Sequence, residues 1–357
     1  MKALLTAGGR ATRLRPITYT INKHLIPLAN KPMLFYAIEK IAEAGITEIG
    51  ININTGEEEI QKAVGDGSKW GVKITYIEQV GGPKGLGHIL KMAKPFLGNE
   101  PFVFYLGDNI ILGSIKAFVD RFTTEKLNCL LALSKVKDPQ RFGVPVIEGG
   151  RIVRVEEKPS EPQSAYAVTG IYAYDVSVWD AVDAIEPSAR GEYEISDVNT
   201  WLITHDKKVG HAEITGWWKD TGKPEDLLEG NQLLLIEEVT ETRIEGEVDP
   251  EARIQGKVRI GKGTTISADV LVRGPVVIGE NCRIKNAYIG PYSAIGNGVE
   301  IENAEIEYSI VFDDADINCS ARIVDSLIGQ NASIVSAHTT MPSGHKLIIG
   351  DNAQVEL

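Results

Sequence analysis

Large aliphatic residues recur at a nearly constant spacing through the last third of this 357-residue chain. Of the 14 intervals between successive positions, ten are six residues long and four are five. A helix repeats every 3.6 residues and a half-buried strand every two, so neither produces this pattern. A solenoid with three short strands per coil does, because each aliphatic side chain then points into its axis. The positions are Ile254, Ile260, Ile266, Val272, Ile278, Ile284, Ile289, Ile295, Ile301, Ile306, Val311, Ile317, Ile323, Ile328 and Ile334.

Glycines accompany this repeat where a coil would turn. They are Gly261, Gly279, Gly290, Gly296 and Gly329, and glycine permits backbone conformations that suit sharp corners. Five coils need about 90 residues, which is close to the length available. The repeat resembles the hexapeptide left-handed parallel β-helix, to which we assign residues 244–357.

Residues 1–236 carry a different pattern, in which short apolar runs alternate with helical ones. We predict strands at 3–7, 48–53, 73–77, 102–106 and 151–155, and helices at 32–44, 57–64, 86–93 and 114–122. Such alternation implies an α/β fold with a Rossmann-like, mostly parallel sheet covered on both faces. Ligands then gather at the carboxyl ends of the strands. Residues 237–243 are charged and lack an apolar rhythm, which is typical of a linker.

The overall composition narrows the classes of partner. Acidic residues number 49 against 37 basic ones, for a formal net charge of -12. Nucleic acids and anionic membranes are held by Lys and Arg, so neither is expected as a partner. We find no signal-peptide core and no apolar run of about 18 residues, which favours a soluble, cytoplasmic protein. The three cysteines, Cys129, Cys282 and Cys319, are too few and too widely spaced for a disulfide framework or a zinc site, so we expect buried thiols.

A glycine turn and a cluster of cations mark the start of the chain. Gly8 and Gly9 follow the first predicted strand, where backbone N–H groups can cradle phosphate oxygens. Residues 1–38 contain six basic residues and no acidic one, a local charge of +6 in an acidic protein. The basic residues are Lys2, Arg10, Arg13, Arg15, Lys23 and Lys31. A solvated basic face is the alternative explanation, and the adjoining glycine turn favours a phosphate site.

Five motifs, in order along the chain, resemble those of the sugar-1-phosphate nucleotidylyltransferase family. They are Gly8–Pro16, Lys23 followed by Pro27, Gly107-Asp108-Asn109, Glu156-Glu157-Lys158-Pro159 and Trp218-Lys219-Asp220-Thr221-Gly222. More narrowly, they are similar to the thymidylyl-transferring members that carry a β-helix tail. The resemblance implies that dTTP reacts with α-D-glucose 1-phosphate to give dTDP-glucose and pyrophosphate, for deoxysugar biosynthesis.

The resemblance also implies a Mg²⁺ cofactor and a role for several charged residues. Asp108 and Asp220 would hold the metal, because Mg²⁺ prefers a few carboxylates completed by phosphate oxygens and water. Arg13 and Lys23 would bind the nucleotide phosphates and act in catalysis, beside the backbone of Gly8 and Gly9. Bringing two polyanions together in line requires such neutralisation of charge. Each Asp taken alone is more typical of a turn or a helix cap.

The remaining predicted site residues concern the base and the sugar. Gln79 and Gly85, with Asp108, complete the nucleotide-binding set, Gln79 reading the pyrimidine edge. Glu157 and Lys158 resemble the pair that binds the sugar hydroxyls and the sugar 1-phosphate, although a solvated strand end would explain them in isolation. The resemblance places Gly143, Thr169 and Gly170 around the same sugar. The stretch from Arg190 to Ile195 also recurs in the family, and we interpret it first as scaffold.

Two positions depart from the family pattern. Ala11 stands where a third glycine is common, and we expect this turn to avoid positive φ there. His24 follows Lys23 where many relatives have Gln, and an imidazole cannot copy an amide. His24 therefore bears on whether the base is thymine or uracil.

Other functions remain open from the sequence. A UTP-using enzyme or one acting on another sugar 1-phosphate has the same motifs, and a non-catalytic regulatory homologue would share the layout. The β-helix could carry acetyl transfer, but His338 and His345 are the only histidines after residue 211 and lie past the regular repeat. We favour a stabilising or oligomerising solenoid, and hence a homo-oligomer, whose subunit number the repeat spacing does not define.

Overall fold

The computed structural model describes residues 1–9, 11–214 and 218–336. These form two compact units. The first comprises the described parts of Met1–Arg10 and Met33–Asp220, and the second comprises those of Ala11–Pro32 and Thr221–Leu357. The segment 11–32, which follows the glycine turn, thus belongs to the unit that contains the solenoid.

Strands and helices alternate through the first two thirds of the chain. Its elements are β1 (Lys2–Thr6), β2 (Pro27–Leu28), β3 (Lys31–Pro32), α1 (Met33–Glu43), β4 (Glu48–Asn54), α2 (Glu59–Val64), β5 (Lys73–Gln79), α3 (Leu86–Leu97), β6 (Phe102–Leu106), β7 (Asn109–Ile111), α4 (Lys116–Thr124), β8 (Cys129–Lys135), β9 (Gly143–Glu148), β10 (Arg151–Glu157), β11 (Tyr166–Tyr174), α5 (Val178–Ala184), α6 (Ile195–Thr204), β12 (Val209–Glu213), β13 (Trp218–Asp220) and α7 (Pro224–Glu238). Each strand and helix predicted from the sequence is present, with ends shifted by up to four residues. The predicted linker at 237–243 begins in the last turn of α7.

A seven-stranded sheet forms the centre of the first unit, in the order β12-β8-β11-β6-β1-β4-β5. It is parallel except for β11, which runs antiparallel to both β6 and β8. The mostly parallel α/β fold is therefore confirmed. Strand β1 is buried on both faces, with Ala3, Leu4 and Leu5 fully inaccessible to solvent, as expected for a central parallel strand.

Three two-stranded ladders lie outside this sheet, and one of them is the antiparallel hairpin of β2 and β3. Strand β10 pairs with β9, and β13 pairs with β7, both antiparallel. The β7–β13 ladder joins a strand near residue 110 to one near residue 219, so its register brings together two distant parts of the chain.

The solenoid consists of three parallel sheets, as the repeat predicts. Its strands are β14 (Arg243–Ile244), β15 (Glu247–Val248), β16 (Arg253–Gln255), β17 (Val258–Ile260), β18 (Thr265–Ile266), β19 (Leu271–Arg273), β20 (Val276–Ile278), β21 (Arg283–Lys285), β22 (Tyr288–Ile289), β23 (Ser293–Ile295), β24 (Glu300–Glu302), β25 (Glu305–Glu307), β26 (Ile310–Val311), β27 (Asp316–Asn318), β28 (Arg322–Val324), β29 (Leu327–Ile328) and β30 (Ser333–Val335). Sheets of six, six and five strands form the three sides of a β-helix.

The aliphatic repeat forms the core of this β-helix. Ile260, Ile278, Ile295 and Val311 stack in register on successive coils and are all buried. Gly279 marks a corner with no room for a side chain, because a Cβ there would lie 2.6 Å from the Gly296 carbonyl oxygen. The five- or six-residue spacing therefore produces the buried aliphatic column, and glycine at the corner allows successive coils to approach closely.

All three cysteines are buried thiols without a disulfide, as predicted. Burial raises the pKa of both the Cys129 and the Cys282 thiol. Among the residues described, no helix has the length and apolar character that a membrane span requires.

Candidate active site

The glycine turn lies at the carboxyl end of β1, beside the end of β4. The Gly9 N–H donates to Asn54 Oδ1 at 3.1 Å, and Asn54 Nδ2 donates to the Gly9 carbonyl at 3.3 Å. Gly9 has φ +120°, a conformation that favours glycine. Glu57 accepts from both the backbone and the side-chain amide of Asn54. Asn54 thus holds the turn, a role that we did not predict.

Asp108 is presented at the carboxyl end of β6, beside β1. The Gly107 N–H donates to Thr6 Oγ1 at 3.1 Å, which joins the two strand ends. Asn109 Nδ2 donates to Asp108 Oδ1 at 3.0 Å. Tyr105 donates its hydroxyl to the Asn109 carbonyl, and burial, with the nearby Asp108 charge, raises the pKa of this phenol. The Asp108 turn is therefore fixed from both sides.

The second predicted metal ligand, Asp220, lies next to the first. Strand β13 pairs with β7 so that Asp220 is opposite Asn109, the neighbour of Asp108. The two residues are 112 positions apart in sequence, yet the backbone of Asp220 pairs with that of the residue after Asp108. The register therefore places the two predicted metal ligands at neighbouring backbone positions.

Trp218 organises this ladder and was not among the predicted site residues. Its Nε1 donates to Asn109 Oδ1 at 2.7 Å and to the Thr169 carbonyl at 2.9 Å. The indole is buried and packs edge-on against Phe142 at 5.1 Å. Trp218 thus couples the Asp108 turn to β11, and its place in a motif with Asp220 was the only sequence signal.

Thr169 and Gly170 lie at an irregularity of β11, where the pairing with β8 shifts register. The Thr169 hydroxyl donates to the Ala132 carbonyl at 3.1 Å, and its side chain is fully buried. Gly170 has φ +75°, and a Cβ there would lie 2.7 Å from Leu106 Cδ1. Both residues therefore lie at the irregular middle of β11, where Thr169 is held by its hydroxyl and Gly170 leaves room for Leu106.

Gly143, Glu157 and Lys158 lie together on the β9–β10 ladder, where Glu157 pairs with Gly143. A Cβ on Gly143 would lie 3.6 Å from Glu157 Oε2, so glycine leaves space beside this carboxylate. Lys158 adopts φ +47° and places its Nζ 3.0 Å from Glu157 Oε1. Ser196 donates its hydroxyl to Glu157 Oε2 at 3.1 Å. The cation and the carboxylate predicted to bind the sugar phosphate are thus adjacent.

The stretch from Arg190 to Ile195 contributes to this cluster as well as to the scaffold. Arg190 Nη2 lies 2.8 Å from Glu194 Oε1 and 3.5 Å from Glu157 Oε1. Burial opposes the charge of Arg190, but the hydrogen bond to Glu194 and the other nearby carboxylates leave its pKa raised. Arg190 therefore remains a cation that braces Glu157.

Gln79 ends β5, where a base reader was predicted. Its side chain is 5% exposed, and its Nε2 lies 3.3 Å from Nδ1 of His88. Burial lowers the pKa of His88, and the charges of Lys84 and Lys91 lower it further. In its neutral form, His88 can accept a hydrogen bond at Nδ1 from the side-chain amide of Gln79. The Oε1 atom of Gln79 can then accept a hydrogen bond from an N–H group of a ligand.

Gly85 precedes α3 and lies against the backbone of Tyr193. It has φ +89°, and a Cβ would lie 2.6 Å from the Tyr193 carbonyl oxygen. The Tyr193 N–H donates to the Lys84 carbonyl at 2.8 Å, and the Gly87 N–H donates to the Tyr193 carbonyl at 2.9 Å. Glycine is therefore required by the packing of two backbones, in addition to any role toward a base.

Replacing Gly85 with Ala should destabilise the protein by about 1–3 kcal/mol, because the new methyl clashes with backbone and the backbone is strained. Thermal unfolding measures this effect. Gly82→Ala is the matched control, since it also has positive φ but nothing within 4 Å of its Cβ position. Equal losses of Tm in the two variants would show that strain alone, and not the Tyr193 contact, explains Gly85.

Arg13 and Lys23 belong to the second unit. Arg13 lies in a single helical turn, Thr12–Leu14, and is exposed. Ala11 precedes it with φ +44°, so our expectation that this position avoids positive φ was wrong. The Ala11 carbonyl accepts hydrogen bonds from Thr18 Oγ1 at 2.8 Å and from the Leu14 N–H at 3.1 Å, and these bonds offset the strain. Arg10 lies outside the described residues.

Lys23 and His24 begin a second short turn, Lys23–Leu25. Asn22 Oδ1 accepts the His24 N–H at 2.8 Å and lies 3.0 Å from His24 Nδ1. His24 is 4% exposed. Its imidazole is therefore packed against Asn22, with Nδ1 committed to that local contact. His338 and His345, considered for acetyl transfer, lie outside the described residues.

Comparison with known proteins places this geometry in a family. Residues 2–237 match the family described as "Nucleotidyl transferase", and residues 272–356 match "GMPPB C-terminal domain". A glucose-1-phosphate thymidylyltransferase of Streptomyces griseus is 41% identical, covering 100% of this chain and 99% of the relative. The "Low-salt glycan biosynthesis nucleotidyltransferase Agl11" of Haloferax volcanii is 44% identical, covering 100% of both chains.

A solved structure agrees with these matches. It comes from Bacillus anthracis, carries the name glucose-1-phosphate thymidylyltransferase, and contains sucrose. It is 40% identical to this chain and superimposes with a TM-score of 0.62, covering 65% of this chain and 94% of its own. On the sequence matches, the fold and the motifs together, this chain belongs to the nucleotidyl transferase family.

Proposed function

We propose that this protein transfers a thymidylyl group from dTTP to α-D-glucose 1-phosphate, giving dTDP-glucose and pyrophosphate. A phosphate oxygen of the sugar attacks the α-phosphorus of dTTP, and the bond from that phosphorus to the bridging oxygen of the leaving pyrophosphate breaks. The observation that carries the proposal is the pairing of Asp220 with Asn109, which places Asp220 beside the backbone of Asp108. The named activity of the full-length Streptomyces griseus relative supports the choice of substrates.

The donor chemistry of this pair fits Mg²⁺. Asp108 and Asp220 offer carboxylate oxygens, which are the ligands Mg²⁺ prefers, and substrate phosphate and water would complete its octahedron. When bound, the ion would neutralise phosphate charge and orient the attacked α-phosphate. The bond from Asn109 Nδ2 to Asp108 Oδ1 limits the orientations available to that carboxylate, which suits a ligand that must be held in place.

Arg13 and Lys23 are proposed to neutralise the triphosphate, and Gly8 and Gly9 to offer backbone N–H groups to it. A unit charge pair at 4 Å is worth about 4 kcal/mol at an effective dielectric near 20. Phosphoryl transfer depends on such stabilisation more than on covalent chemistry by the protein. Cations at these positions would therefore stabilise both the bound triphosphate and the transition state.

The β9–β10 ladder is proposed to bind the sugar phosphate. Lys158 would pair with the 1-phosphate, and Glu157, held by Ser196 and Arg190, would accept hydrogen bonds from sugar hydroxyls. Gly143 lies opposite Glu157 on this ladder, which places it beside the proposed sugar-binding carboxylate. Thr169 and Gly170 would contribute backbone only, since the Thr169 hydroxyl already bonds to Ala132.

Gln79 and Gly85 are proposed to receive the base. A Gln79 Oε1 that faces an N–H group suits the imide of a pyrimidine, which thymine and uracil share. His24 is buried and lacks the amide group that many relatives carry at this position, so it gives no support for either base. The choice of thymine over uracil therefore rests only on the names of the relatives.

A matrix of nucleoside triphosphates against sugar 1-phosphates, read by pyrophosphate release, tests this function. We expect release with dTTP only when glucose 1-phosphate and Mg²⁺ are both present. Higher kcat/KM with UTP would overturn only the base assignment, and preference for another sugar only the sugar assignment. If no pair turns over, the chain is a non-catalytic member of the family.

Size-exclusion chromatography with light scattering would test the proposed homo-oligomer.

A further inference from the structure

The tip of the β2–β3 hairpin is a strained two-residue turn in the second unit. Ala29 and Asn30 connect the strands with φ values of +48° and +61°. Tight hairpins of this kind need positive φ at both central residues, which Asn and Gly accept and Ala resists. An alanine persists in such a conformation only where its surroundings hold it.

Asn231, on α7, supplies that constraint. Its Oδ1 accepts the Ala29 N–H at 2.8 Å, and its Nδ2 donates to the Tyr292 carbonyl at 3.0 Å. The side chain is fully buried. One rigid amide therefore joins the hairpin tip, helix α7 and a coil of the β-helix.

A second bond fixes the tip directly to the β-helix. Asn30 Nδ2 donates to the carbonyl of Ile295 at 2.5 Å. Three apolar side chains of segment 11–32 are also buried, since Leu14, Ile26 and Leu28 are nearly inaccessible to solvent. The segment 11–32 belongs to the second unit and is anchored there at its hairpin tip, and Arg13 and Lys23 lie within it.

We propose that Asn231 is a positioning residue for nucleotide binding. By tying the Ala29–Asn30 tip to α7 and to the β-helix, it makes the solenoid part of the scaffold that holds Arg13 and Lys23. The inference rests on the proposed phosphate-binding role of those two cations. It gives the β-helix a part in binding the triphosphate, beyond stabilisation or assembly.

The first test is Asn231→Leu, which keeps the side-chain volume and removes both hydrogen bonds. The KM for dTTP should rise by about 10-fold or more, while the KM for glucose 1-phosphate changes by less than about 2-fold. Ser309→Ala is the matched control. Ser309 is also fully buried in the second unit, but its hydroxyl donates to the Glu307 carbonyl and not to segment 11–32. A general loss of stability would affect both variants, and only Asn231→Leu should alter the KM for dTTP.

Asn30→Gly is the second variant, and it tests the same anchor if Asn231→Leu fails to fold. Glycine keeps the positive φ of the turn and removes only the bond to Ile295. Amide hydrogen exchange without substrate should be faster in residues 11–32 for both variants and unchanged for Ser309→Ala.

Three results would overturn the proposal. They are unchanged exchange in residues 11–32, faster exchange with an unchanged KM for dTTP, and an equal rise in the KM of both substrates. Exchange is measured without turnover, so it remains decisive for the anchor even if wild-type protein shows no activity in the substrate matrix. Absence of all turnover would instead contradict the proposed function.

Discussion

Replacing Asp108 with Asn should lower turnover of dTTP and glucose 1-phosphate by about 10³-fold, and replacing Asp220 should do the same. Each change keeps the shape of the side chain and removes a negative charge from the proposed Mg²⁺ site. Loss of this charge weakens the binding of Mg²⁺, and the ion would neutralise the phosphates when the sugar phosphate oxygen attacks. Pyrophosphate release at several Mg²⁺ concentrations measures the effect, and excess Mg²⁺ should restore part of the rate.

The matched control is Asp120→Asn. Asp120 is exposed on α4 and pairs with Lys116 at 3.1 Å, an interaction of the kind that contributes little to stability. Its loss should leave turnover unchanged. Since Asp108 and Asp220 lie at the end of a ladder, circular dichroism and Tm must confirm that the folds are intact. Full activity in either folded variant would remove that residue from the metal site.

Replacing Lys23 with Met should lower kcat/KM for dTTP by about 10²-fold, because one charge on the triphosphate goes unneutralised. Because the cation would meet the triphosphate charge in the bound substrate as well as in the transition state, the KM for dTTP should rise and kcat should fall. Steady-state kinetics at low salt measures kcat and the KM for dTTP.

Lys62→Met is the control for this charge. Lys62 lies on α2 with its side chain 75% exposed and pairs with Glu58 at 2.8 Å. Its replacement removes the same charge from the protein without a predicted role toward substrate. If both variants lose activity equally, the effect of Lys23 reflects net charge and not a phosphate contact.

Local patterns predicted most of the fold. The strand Phe102–Leu106 has the predicted bounds, and helix α1 ends before Gly45 as expected. Helix α3 was predicted to end at Ala93 but continues past Pro95 to Leu97, because tertiary burial of Leu97 outweighs the local effect of proline. The β-helix followed from its period, since each coil repeats the same short-range rule.

The sequence predicted which residues form the site but not which of them contact one another. The motifs named Asp108 and Asp220, yet only the β7–β13 register shows that Asp220 pairs with the residue after Asp108. Trp218, Asn54 and Arg190 act through hydrogen bonds to partners far away in sequence, and no local pattern encodes such pairs. The positive φ of Ala11 was missed for a different reason, because the general preference of alanine for negative φ does not include the bonds that its carbonyl accepts from Leu14 and Thr18.

The anchors of the hairpin tip have a consequence for how the chain becomes functional during synthesis. Ala29 is bonded to a residue 202 positions later, and Asn30 to one 265 positions later. Contacts of such sequence separation form only after the intervening chain has been made and its loop-closure entropy overcome. On the ribosome, the central sheet would be complete well before Ile295 emerges. A nascent or prematurely ended chain would then present a folded sheet but a loose Arg13–Lys23 segment. We expect nucleotide binding to appear late in translation, once the coils that hold the tip have been added.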